Sequence, residues 1–116
     1  MAAEDNLGNQ FKDRLGRCFE LSGREQMDRS VFSGDDDHLL HHGSIQGLGN
    51  PRISHAWVEH KETGHVWEPI TNQHYDSQTF KSLFNAESEH AYPWKEAKSH
   101  ISRTKHWGPW EEMNQP

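Results

Sequence analysis

The stretch Ile53-Ser54-His55-Ala56-Trp57-Val58-Glu59-His60, turned by Lys61-Glu62-Thr63-Gly64 and continued as His65-Val66-Trp67-Glu68-Pro69-Ile70, decides the fold. Both arms hold β-branched and aromatic residues and the linker ends in glycine, which predicts a hairpin with strands over 53–60 and 65–70. With a four-residue loop, His60 stands opposite His65 and Trp57 opposite Glu68. His55 and Glu68 then share a face as diagonal neighbours, roughly 7–8 Å apart at the backbone. A three-residue loop without a bulge would send Glu68 to the other face, because successive strand residues alternate. Two tryptophans on one hairpin, Trp57 and Trp67, imply that both of its faces are covered.

Toward the N-terminus, Gly47, Gly49, Asn50 and Pro51 mark a turn, and Leu39 to Gln46 reads as a preceding strand. The Ser33 to Asp37 segment, with a Ser-Gly pair and three consecutive Asp, is a loop. Phe11, Leu15 and Phe19 recur at helical spacing; Gly16 interrupts or restarts that helix, which runs on from Cys18 towards Arg29. Toward the C-terminus, Ser77 is the expected cap of a short helix with Phe80, Leu83 and Phe84 on its apolar face. A last helix is expected to start at Pro93, bury Trp94, Ala97 and Ile101, and stop near Gly108-Pro109. Residues 1–8 and 111–116 read as flexible ends. The span 9–110 reads as a single α+β domain with an N-terminal helix, an antiparallel sheet of three strands or somewhat more, and C-terminal helices.

Only 31% of the 116 residues are apolar, but five Trp and five Phe offer large buried areas from few positions. A formal charge of -6 argues against general nucleic-acid binding, which draws on clustered Lys and Arg. No apolar run is long enough for a signal peptide or a bilayer span, so the expected location is cytoplasmic. The single cysteine excludes an internal disulfide and a multi-cysteine zinc centre.

That cysteine sets the chemistry. A thiol becomes a nucleophile when a base takes its proton, and the base needs an acceptor to fix its tautomer, so Cys18, His55 and Glu68 together make a catalytic set. A helix start and a neighbouring imidazolium both favour the thiolate. Backbone amides near Cys18, helped by Gln46 or Gln10, are candidates to stabilise the oxyanion, and Trp57 is a candidate site wall. The chemistry is acyl hydrolysis or acyl transfer on an amide- or ester-bearing substrate, such as a peptide or protein side chain, with no cofactor. The competing reading makes Cys18 a small buried hydrophobe, with His55 solvent-exposed and Glu68 part of a charged rim.

The His55-Ala56-Trp57-Val58-Glu59 strand followed by Val66-Trp67-Glu68-Pro69-Ile70-Thr71 resembles the histidine and acid strands of the transglutaminase-like branch of papain-fold cysteine enzymes. Their pattern is roughly His-Ala-Trp-x-Glu, then Trp-x-Asp-Pro-Thr. The resemblance implies a cysteine at the start of a helix packed on an antiparallel sheet, with Cys18 as nucleophile, His55 as base and Glu68 as orienting acid. It covers two short strands and one helix start, and Glu68 replaces the family's Asp. The Cys-Phe-Glu-Leu-Ser-Gly, His-Gly-Ser-Ile-Gln-Gly and Trp-Gly-Pro-Trp segments also look like those of small proteins of bacteria and their phages.

Two other classes compete. Asp35 to His38, with His41 and His42, offers oxygen and imidazole ligands, and Asp37, His38 and His42 form the alternative metal set within an otherwise solvated acidic loop. A small acidic protein could instead occupy a basic surface on a host protein, with any exposed part of the Trp94, Trp107 and Trp110 region as its anchor, although most of that region is expected to pack on the domain.

Overall fold

The computed structural model describes residues 17–47 and 50–110. The expected helix face at Phe11 and Leu15, Gln10, and both expected flexible ends lie outside the described residues. The fold is α+β: helix α1 (Cys18–Met27), a π-helical turn (Asp28–Phe32), β1 (His38–Ile45), β2 (Ile53–His60), β3 (His65–Glu68), β4 (Gln73–Asp76), helix α2 (Ser77–Phe84), β5 (Glu87–Tyr92) and helix α3 (Trp94–Thr104). The strands form one antiparallel sheet in the order β4-β3-β2-β1-β5.

The central hairpin adopts the four-residue register. Val58 pairs with Trp67 and Glu59 with Val66, which sets Trp57 opposite Glu68. Gly64 closes the turn at φ 74°, a conformation that favours glycine, and its N–H donates to the His60 carbonyl at 2.8 Å. The third strand is shorter than its sequence suggests, ending at Glu68 instead of Ile70. Pro69 has no N–H for the ladder, and the Ile70 and Thr71 amides turn back onto the Glu68 carboxylate.

Both sheet faces are covered, and the two tryptophans belong to different cores. Leu40, Val58, Tyr92, Ala97 and Trp110 form one cluster with Trp67 packed against it; Ile45, Trp57, Val66 and Phe80 form the other. The aromatic region near the C-terminus packs on the domain as expected, with Trp110 only 1% exposed and Trp94 and Trp107 half-buried. Trp107 lies so close over Gly23 of α1 that a Cβ there would meet its ring at 2.5 Å.

Helix α1 buries small and polar residues: Cys18, Ser22, Gly23 and Gln26. Gln26 Nε2 donates to the carbonyls of His38 (3.0 Å) and Tyr92 (2.7 Å), bolting α1 to the start of β1 and the end of β5. Arg17, Glu20 and Arg24 line its outer face as ion pairs at helical spacing. The cap of α2 is Asp76, not Ser77, because the Asp76 carboxylate accepts from the Thr79 amide at 2.9 Å. The last helix ends at Thr104, ahead of the expected Gly108-Pro109 stop, where Lys105 takes the left-handed conformation at φ 64°.

Candidate active site

Cys18 is the first residue of α1 and is 6% exposed. Arg17, at the cap position, makes no side-chain cap, so the helix begins with amides that no side chain at that position satisfies. His55 lies in β2, paired with Gly43 of β1. A Cβ on Gly43 would come within 1.9 Å of the Glu87 carbonyl oxygen, where a bulge between His42 and Gly43 shifts the register with β5. The glycine therefore lets three strands meet beside His55.

Glu68, on the last residue of β3, reaches back to His55. Its Oε2 accepts from His55 Nε2 at 2.6 Å, and both side chains are 1% exposed. The longer Glu thus spans the diagonal. The remaining carboxylate positions are also filled: Oε2 accepts the Ile70 amide at 3.0 Å, and Oε1 accepts the Thr71 amide and Thr71 hydroxyl, both at 2.8 Å. Burial pushes this carboxyl upward, but the His55 hydrogen bond and the Thr71 and Ile70 amides hold it below the ordinary value.

The Nε2 bond leaves Nδ1 as the His55 nitrogen available to Cys18. Nδ1 is buried without an aligned hydrogen bond, while the thiol lies near enough to act on the ring. Burial opposes a charged imidazole here, but Cys18 and then Glu68 outweigh it and push His55 up to about 9.

Trp57 stacks beside His55 with ring centroids 6.2 Å apart and is otherwise core, contacting Phe80 at 5.0 Å. Gln46 binds the loop instead: its side chain donates to Asn50 O at 3.0 Å and its amide to Phe84 O at 2.8 Å. The alternative metal set is dispersed. Asp37 faces Lys61 at 3.7 Å, and His42 is enclosed by the rings of Phe19, Tyr92 and Trp110, whereas His38 approaches Asp35.

Sequence reasoning missed Thr71 and Gly43. The Glu68-Pro69-Ile70-Thr71 spacing carried a signal, since an acceptor side chain commonly takes amides two and three residues on. Gly43 carried none, because its role depends on the approach of β5. No protein-family model, curated protein or solved structure matches the chain.

Proposed function

We propose that this protein is a cysteine-dependent acyl hydrolase or acyltransferase of transglutaminase-like type. The observation that carries the proposal is a buried imidazole held at Nε2 by a fully hydrogen-bonded carboxylate, with its other nitrogen left for the lone cysteine at a helix start.

In this reaction His55 holds the thiol's proton at Nδ1 as an imidazolium beside the Cys18 thiolate, and Sγ attacks the carbonyl carbon of an amide or ester. The first amides of α1 stabilise the negative oxygen. The C–N or C–O bond then breaks, His55 returns the proton to the departing amine or alcohol, and an acyl-thioester remains on Cys18. Water or an amine attacks that thioester in the second half, giving hydrolysis or transfer. Glu68 keeps the Nε2 proton in place and stabilises the imidazolium throughout. The proposed substrates are acyl groups of peptides or protein side chains. No described helix is long and apolar enough to cross a membrane; a cytoplasmic location is part of the proposal.

The test is intact-mass spectrometry after reaction with an activated acyl ester. The expected result is one acyl adduct on Cys18, absent in Cys18→Ala and discharged by water or by an added primary amine. An adduct that forms equally in Cys18→Ala, or no adduct across a panel of acyl donors, would refute the proposal.

A further inference from the structure

We propose that Asp35, His38 and His60 form a binding site for a first-row divalent metal ion on the sheet face opposite His55. The three residues come from the turn before β1, the first residue of β1 and the last residue of β2, and His38 and His60 are direct cross-strand partners. His60 is five residues beyond His55, so strand alternation puts them on opposite faces, ~16 Å apart along β2.

Asp35 Oδ2 stands 3.2 Å from His60 Nε2 and 3.6 Å from His38 Nδ1, and the three ligand atoms all lie within 4.8 Å of one another. Two donors on a tetrahedral metal at the usual bond lengths stand roughly 3.3–3.5 Å apart. The observed spacings bracket that value. Without a metal both imidazoles bond to Asp35, His60 Nε2 to Oδ2 at 3.2 Å and His38 Nδ1 to the main-chain oxygen at 3.3 Å, and a bound ion would replace both contacts. Asp35 is also aimed: its Oδ1 accepts the Asp37 amide at 3.0 Å, leaving Oδ2 for the imidazoles.

Two imidazoles and one carboxylate suit zinc, cobalt, nickel or copper and not magnesium or calcium. Of the three, His38 also lines a cavity of ≈ 130 Å³ that it shares with Glu25, Arg29, His65 and His74. His60 Nδ1 accepts the amides of Glu62 and Thr63, each at 3.3 Å, which keeps the ring proton on Nε2. Ligation through Nε2 moves that proton to Nδ1 and breaks both contacts, so the Lys61–Gly64 turn must respond to the metal.

The test uses the full chain carrying Cys18→Ala, which removes a thiol that would itself bind Zn²⁺, and titrates Zn²⁺ in competition with a chromophoric chelator. One bound equivalent is expected. Asp35→Ala and His60→Ala each weaken it by about tenfold or more, and His74→Ala leaves it intact. In the same Cys18→Ala protein, Zn²⁺ shifts the Glu62 and Thr63 amide resonances, a readout that does not require the ligand variants to fold. Absence of stoichiometric binding in Cys18→Ala, unchanged affinity in His60→Ala, or binding that leaves both amides unmoved would overturn the site.

Discussion

His42 and His55 occupy adjacent strands one register step apart, and both are shut from solvent, at 4% and 0% exposure, yet their environments drive them in opposite directions. Among the described residues, neither His42 ring nitrogen has a hydrogen-bond partner. Burial, reinforced by His90, His100 and His41, pushes its pKa down to about 3. Burial opposes the charge on His55 too, but Cys18 and Glu68 push it up to about 9. Burial alone makes a histidine an aromatic core residue; a buried acid and a thiol make it a base.

Removing the acid is the largest test of that difference. Glu68→Gln should lower the His55 pKa towards that of His42 while leaving Cys18 beside it, and the weakened proton transfer should slow the proposed acyl chemistry by about a hundredfold or more. Breaking the buried pair should also cost about 3 kcal/mol of stability by denaturant unfolding. A folded His55 binds its proton more tightly than an unfolded one. Its contribution is therefore fully present below pH 6.5 and lost as pH rises from there through about 9. Glu68→Gln should flatten this alkaline decline; an unchanged slope would show that Glu68 does not hold the proton.

Next in size is Gly43→Ala, between the two histidines. Its methyl group would meet the Glu87 main-chain oxygen at 1.9 Å, and the forced separation of β1 and β5 should cost about 2 kcal/mol. Thermal unfolding at the wild-type midpoint would contradict the packing described beside His55.

The smallest effect is expected at His42. The folded ring resists protonation that the unfolded chain accepts, so stability falls as pH drops from 6.5 towards about 3. His41, lowered to about 4 chiefly by burial, adds to the same acid limb. His42→Leu should make that limb shallower and raise stability at neutral pH by about 1 kcal/mol, since an unpartnered buried polar group is removed. Urea unfolding across pH would test both, and a destabilised variant with an unchanged acid limb would mean that His42 is held by its rings and not merely tolerated.

The same contrast explains what was legible in the sequence. The boundaries of β2, the hairpin register, and the helix start at Cys18 follow from local signals: alternation, a glycine-closed turn and a glycine just ahead of the helix. Asp76 and the edge strands were less visible. Gln73–Asp76 is short and polar, and among Glu87–Tyr92 only Tyr92 is buried, so neither segment carries the apolar alternation that marks a strand. The buried face of α1 is written in Cys, Ser, Gly and Gln, and its anchoring depends on backbone carbonyls far along the chain. Residue types nominated His38 within the acidic loop, but only the fold pairs it with Asp35 and with His60 at the end of another strand.

The central claim, that Cys18 and His55 act as one unit, is tested most directly by the rate of Cys18 alkylation with iodoacetamide against pH in the native chain and in His55→Ala. The expected result is rapid reaction of the native protein in mildly acidic solution, where an ordinary thiol is nearly inert, and loss of that reactivity in His55→Ala. Slow acid-side reaction that the substitution leaves unchanged would make Cys18 a structural thiol and contradict the account.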